Sequence, residues 1–340
     1  MADGPRYLHR MMLARRTFLA AGLCAPALVR GDSAAFAAAR DRARSLDQLH
    51  CIVISRDGDV AVAEAFRGPP PDRPVNIKSV SKTVVAILTG IAIDRGVLPG
   101  TGARLAEVAP ALIPNDADSR VGDITIGDLL TLRAGLERTS GANYGGWVSS
   151  RNWVADALSR PMIALPGSRM LYSTGTTHVL GAVLAEASGQ SLLSLARGWL
   201  GDPLGIDIPA WTRDPQGRYL GGNEMALAPL ALQRIGETFR KGGTWDGTRV
   251  VSEAWVRDSL TPRTHSPFSG HDYGYGWFLA SSDGLELAYG RGYGGQMLYL
   301  VPELGLTVAI TSDPTRPARS QGYAGDLFRL LTETIIPEAI

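Results

Sequence analysis

"NIKSVSKTVVAILTGIAIDRG", residues 76–96, has the length and apolar content of a buried helix, yet it carries Lys82 one turn after Ser79. An ammonium on such a helix loses its hydration, so it must be paired, reach back to water, or give up its proton. Residues three apart on a helix are neighbours, with Cβ atoms roughly 5–6 Å apart, so the amine can lie against the serine hydroxyl and take its proton. Desolvation and the positive end of the helix both lower a lysine pKa toward that of a working base. The backbone N–H of Ser79, near the helix start, is a first candidate oxyanion donor. The spacing by itself is common, and Ser79 also reads as an ordinary helix cap.

The background sharpens the reading. Of the 34 basic residues only Lys78, Lys82 and Lys241 are lysines; the rest are arginines, which do not deprotonate in a protein, whereas an amine does. Two of the three lysines flank Ser79. No Gly-x-Ser-x-Gly elbow supplies a rival nucleophile. His9, His50, His178, His265 and His271 show no metal-ligand spacing, so neither a metal nor another cofactor is expected.

Across its 340 residues the chain is 45% apolar with a formal charge of +1 and no run of five like charges. That composition suits a compact fold and gives no attraction to nucleic acid or a membrane surface; a small-molecule partner fits better, and oligomeric state is left open. "ARRTFLAAGLCAPALV", residues 14–29, reads as a twin-arginine export signal, with small residues for cleavage around Ala35–Ala37. The expected division is a signal over 1–37 and one catalytic domain over 38–340, periplasmic or secreted, with no stable membrane insertion after the signal is removed. Cys24 lies in the signal behind Leu23, where lipid attachment wants a small residue. Cys51 is then alone, in a strand-like run where free cysteine packs as a small hydrophobe.

"LHCIVISRDGDVAVAEAFRG" is two apolar runs about Asp57-Gly58, a β-hairpin. A proline-rich loop leads to the Ser79 helix, which stops near Gly96. Short amphipathic or buried helices follow, including "ITIGDLLTLRAGL", "GTTHVLGAVLAEASG", "SLLSLARGWL" and "LAPLALQRIGETFRKGG". Strand-like runs return in "YGYGWFLA", "LELAYG", "QMLYLVP" and "LGLTVAITS", before a last amphipathic helix. The order predicts an α+β fold: a mainly antiparallel sheet built from about 38–105 and 241–340, with a helical region over about 106–240.

Taken in order, "NIKSVSKTVVAILTGIAIDRGVL", "ITIGDLLTLRAGL", "PGSRMLYSTGTTHVLGAVLAEASGQSL", "DPLGID" and "GRGYGGQMLYLVPELGLTVAIT" resemble the signatures of the penicillin-recognising serine hydrolases from about residue 50 to 335. Within them the chain is most similar to the class C β-lactamase and family VIII esterase branch, and especially to the 6-aminohexanoate-dimer hydrolase group. The resemblance implies a sheet flanked by helices with an all-helical subdomain. It makes Ser79 the acylated nucleophile, Lys82 its proton acceptor and Tyr172 the proton shuttle, its phenolate favoured by a Lys82 cation. Read without the family, Tyr172 is a packing residue ahead of a Ser173 or Thr174 helix cap sooner than a catalytic one.

Gly290, Gly292 and Gly295 match a dinucleotide-binding glycine pattern, but a strand follows instead of a helix, which excludes that site. By resemblance, Gly290-Arg291-Gly292 stands where β-lactamases carry Lys-Thr-Gly, and the Tyr293 N–H becomes the second oxyanion donor. Thr174 likewise replaces the asparagine of Tyr-x-Asn. Both departures remove groups that bind β-lactams, so a small ester or linear amide is the expected substrate, with a β-lactam or D-alanyl-D-alanine peptide as the alternative. A non-catalytic ligand-binding protein on the same fold is the third reading. Arg291, Gly292 and Asn223 are candidate substrate contacts, with a solvated arginine and a loop turn as the competing readings of Arg291 and Asn223. Tyr144, Trp147 and Trp153 are either pocket wall or core, and Asp128 and Arg133 read as structural.

Overall fold

A computed structural model of the chain describes Met1 and residues 35–319 and 322–340. The twin-arginine motif and Cys24 lie outside the described residues. The strands of the main sheet are β1 (Leu49–Arg56), β2 (Asp59–Ala65), β3 (Thr264–His265), β4 (Asp272–Tyr273), β5 (Phe278–Ser282), β6 (Leu285–Gly292), β7 (Gln296–Val301) and β8 (Leu306–Ser312). The described helices of eight or more residues are α1 (Ala37–Ser45), α2 (Ser81–Asp94), α3 (Thr174–Ser188), α4 (Pro229–Arg240) and α5 (Tyr323–Leu330).

The β1–β2 hairpin turns through Asp57 (φ 54°) and Gly58 (φ 102°), two successive left-handed residues, as a tight hairpin twist requires. Sheet order is β2-β1-β8-β7-β6-β5-β4-β3. The chain ends meet where β1 pairs antiparallel with β8, Ile52 opposite Ile310. Alternate residues of β1 serve two cores: Cys51 and Val53 face α2 and the helical region, and Ile52 and Ile54 face α1 and α5. Burial on both faces explains the continuous apolar run. Cys51 is fully buried, and burial pushes its thiol up to about 12.

Helix α2 is buried from Ser81 through Ala92 and closes with Gly96 left-handed, as its all-apolar sequence demands. Asp128 forms a capping box with Thr125, and Arg133 donates to Thr131 and the Gly167 carbonyl; both are structural. "SLLSLARGWL" leaves the α-helical path after Ala196 for a π turn. "YGYGWFLA" is not one strand. Gly276 is left-handed (φ 78°) and lies so close to α2 that a Cβ there would come 2.5 Å from the Ala86 Cβ, so β5 begins only at Phe278. The expected Ser173 cap is also corrected. Ser173 Oγ accepts from the Thr139 N–H, while α3 is capped from outside by Ser140 Oγ on the Thr174 N–H and Thr139 Oγ1 on the Gly175 N–H.

Among the described residues no single helix is long and apolar enough to cross a membrane, and no cluster of His, Cys, Asp and Glu is placed to hold a metal ion.

Candidate active site

Ser79 sits in a 3-10 turn, Lys78–Val80, that feeds α2. The turn is stitched to a distant segment. Val75 and Asn76 pair with Leu227 and Ala226, the Ile77 N–H donates to Met225 O (2.9 Å), and Ser81 Oγ donates to Lys78 O while accepting from the Met225 N–H. This brings residues 222–225 against the Ser79 turn.

Lys82 is 3% exposed, and its Nζ lies 3.0 Å from Ser79 Oγ, 2.6 Å from the Gly222 carbonyl and 3.4 Å from Thr174 Oγ1. Burial lowers its pKa to about 7. A neutral amine has two N–H donors and one lone pair. With Gly222 O and Thr174 Oγ1 taking the donors, the lone pair falls to the Ser79 hydroxyl, the arrangement a general base requires.

Tyr172 completes the group. Its ring lines the same cavity as Ser79, close enough for the serine hydroxyl to favour its ionised form, and Lys82 Nζ stands 4.9 Å from its ring centroid. The expected phenolate is not favoured. Burial raises the Tyr172 pKa, and the nearby Ser79 hydroxyl and the charge of Arg291 offset this only in part. The neighbouring amine, itself pulled down to about 7, gives no dependable cation at neutral pH, so the resting tyrosine is a neutral proton donor.

The end of β6 lies against the Ser79 turn. A Cβ on Gly292 would come 2.5 Å from the Ile77 carbonyl and 3.1 Å from the Lys78 Cβ, so only glycine permits this approach. Strand β5 stops pairing at Phe278 opposite Tyr289, which leaves the β6 edge from Gly290 onward open toward the cleft. The peptide after Gly292, carrying the Tyr293 N–H, is thus set beside the nucleophile turn.

A cavity of about 550 Å³ opens here, lined by Ser79, Tyr172, Thr174, Arg138, Phe268 and Tyr293 among others. Arg291 and Asn223 line it as well, each already engaged: Arg291 donates to the Ala318 carbonyl (3.1 Å), and Asn223 Nδ2 donates to Tyr144 Oη (3.0 Å) and Glu224 Oε1 (3.2 Å). Tyr144 belongs to the wall, whereas Trp147 and Trp153 are core.

Several partners had no signature in the sequence. Gly222 acts through a backbone carbonyl. Thr174 Oγ1, 2.9 Å from Ser140 Oγ, serves the base and a neighbouring hydroxyl. Glu224 braces Lys78 at 2.8 Å; its place beside Asn223 in the glycine-rich "GGNEM" was the one available hint.

Solved structures share the fold that carries this site. A Bacillus anthracis protein described as a "putative 6-aminohexanoate-dimer hydrolase" superposes with a TM-score of 0.73 at 14% identity, over 86% of this chain and 79% of that one. EstCE1, "a hydrolase with promiscuous acyltransferase activity", gives 0.72 at 17% identity over 88% and 99%. A penicillin-binding protein homologue from Caulobacter crescentus gives 0.71 at 17% identity over 90% and 97%. At these identities the likeness is one of fold. A family model described as Beta-lactamase matches residues 50–331, and the chain therefore belongs to the beta-lactamase family of hydrolases.

Proposed function

We propose that the protein is a serine hydrolase that cleaves small esters or linear amides through an acyl-enzyme on Ser79. The observation that carries this is the Lys82 amine, buried, lowered to about 7 and directed at the Ser79 hydroxyl. Lys82 accepts the Ser79 proton as Oγ attacks the substrate carbonyl carbon. The resulting oxyanion lies between the N–H groups of Ser79 and Tyr293. Tyr172 passes a proton to the leaving alkoxide or amine, and water then releases the acyl group by the reverse relay.

The replaced motif positions favour an acyclic substrate over a β-lactam. Thr174 spends its hydroxyl on Ser140 and Lys82, and Gly290 offers no side chain where Lys-Thr-Gly offers a cation. If the leader is a twin-arginine signal, the site of action is the periplasm or the exterior.

The test is hydrolysis of a short-chain p-nitrophenyl ester, 6-aminohexanoate dimer and a chromogenic cephalosporin by wild type and Ser79→Ala. Ser79-dependent turnover of the ester or linear amide, with the cephalosporin poorest, is the expected result. Full activity in Ser79→Ala would overturn the acyl-enzyme on Ser79, and no turnover together with no fluorophosphonate adduct on Ser79 would leave a ligand-binding protein.

A further inference from the structure

His178 and Asp214 form a fully buried pair behind the catalytic residues, His178 Nε2 lying 3.2 Å from Asp214 Oδ2. His178 Nδ1 accepts the Gly221 backbone N–H at 3.3 Å, so Nδ1 carries no proton and Nε2–H donates to Asp214. Burial holds the His178 pKa below its ordinary value, and Asp214 is kept ionised by His178 and by the Arg218 backbone N–H at 2.8 Å. Trp147 and Trp153 meet the imidazole at 5.8 and 5.7 Å between ring centroids, edge-on, so the ring has little room to turn.

The segment that His178 anchors reaches Lys82 one residue further on. Gly221 is followed by Gly222, whose carbonyl makes the shortest contact to Lys82 Nζ, 2.6 Å. Both glycines press on α3: a Cβ would come 2.5 Å from Thr177 O at Gly221 and 2.7 Å from Thr174 O at Gly222. The segment is thus clamped by sterics and by one directional bond from His178. We propose that His178, oriented by Asp214, is a positioning residue that anchors the Gly221–Gly222 segment through the Gly221 N–H and thereby aims the Lys82 lone pair at Ser79. This rests on Lys82 acting as the base for Ser79, as proposed above.

The ordinary role of a buried histidine, filling space, makes a different forecast. The carbonyl bond favours the ammonium form of Lys82, so losing it lowers the pH at which the base is half protonated. The titratable groups against Lys82 are Ser79 and Tyr172, and those around His178 are Asp214 and, beyond it, Arg218. His178→Leu keeps an apolar filler and loses both bonds. His178→Gln restores them, its carbonyl accepting from Gly221 and its amide N–H donating to Asp214.

The experiment measures, for the full chain, kcat and KM on a p-nitrophenyl ester and the pH dependence of Ser79 labelling by a fluorophosphonate. In His178→Leu, kcat should fall at least about tenfold with KM within about twofold, and the acid limb of labelling should move to lower pH; His178→Gln should recover both. A His178→Leu protein with wild-type kcat and an unmoved limb overturns the assignment, as does a folded His178→Gln no better than Leu. Should the Leu variant not fold, Asp214→Asn takes its place: its amide donates to Nε2, drives the proton onto Nδ1 against the Gly221 N–H, and should bring the same losses, an unchanged folded variant counting against the proposal. Turnover and labelling that survive in Ser79→Ala defeat the acyl-enzyme reading itself, whereas an inactive Ser79→Ala beside an unaffected His178→Leu defeats only this assignment.

Discussion

Lys78 and Glu224, 146 residues apart, face each other across the cleft floor in an ion pair of 2.8 Å, and both hold a left-handed backbone, at φ 50° and 67°. Such a conformation costs a non-glycine residue roughly 1–2 kcal/mol, so the surroundings must impose it. Asn76 closes the brace, donating to Glu224 Oε2 and accepting from the Lys78 N–H. The strain is stored in the residue before Ser79, the proposed nucleophile. Glu224→Gln weakens the brace by removing the charge and leaving one acceptor oxygen for the three donors from Asn76, Lys78 and Asn223. It should cost about 1.5–3 kcal/mol, in the range of single charge-assisted bonds, seen as a lower denaturant midpoint, and kcat should fall because the Ser79 turn relaxes.

Lys82 should be a stability liability. Its pKa of about 7 in the folded chain lies below that of a lysine in the unfolded chain, so the unfolded state binds more protons between these values and stability rises with pH across that window. The penalty is complete below about pH 7 and fades toward pH 10. Lys82→Met should therefore be inactive yet more stable at pH 7, by roughly 1–3 kcal/mol, since the unpaired Gly222 carbonyl takes back part of the gain. The advantage should shrink when the unfolding midpoints are compared near pH 10. In wild type, kcat/KM should fall as pH drops through about 7, and Lys82→Arg, which cannot deprotonate, should be inactive at every pH.

Tyr172 should act as a proton donor that does not titrate in the working range. With its pKa raised by burial, the alkaline limb of the rate profile is expected no lower than about pH 10. Tyr172→Phe should lower kcat by about 10²–10⁴, the usual share of a positioned acid or base, while the thermal midpoint stays close to wild type. An acid limb that vanishes in Tyr172→Phe with Lys82 intact would argue instead for a phenolate base.

What could be read before the structure divides by the distance over which each interaction is encoded. Ser79 and Lys82 were legible because the helical repeat itself makes residues three apart neighbours. The β1–β2 hairpin was legible because its turn chemistry is local. Tyr172 and Gly290–Tyr293 reach Ser79 only through the fold, and resemblance alone connected them. Gly222, Ser140 and Glu224 escaped both routes. A backbone carbonyl leaves no side-chain trace, and nothing local marks Lys78 or Glu224 for a left-handed conformation. The Ser173 cap failed for a related reason: a serine ahead of a helix predicts self-capping, but Thr139 and Ser140 from another loop supply the bonds.

Gly292 separates the proposed oxyanion donor from the proposed base. Its Cα rides against the Ile77 carbonyl, and a methyl group there would sit 2.5 Å from that oxygen, a contact real Cβ atoms do not make. Gly292→Ala must therefore push the end of β6 away from the Ser79 turn, carrying the Tyr293 N–H with it. Lys82, buried on the other side of Ser79 and held by Gly222, is untouched. The expected result is a loss of about 10²–10³ in kcat, the scale for one oxyanion donor, with the acid limb of the rate profile still near 7. A variant with normal kcat would show that the Tyr293 N–H does not hold the developing charge, and a shifted acid limb would show that the strand and the base are coupled.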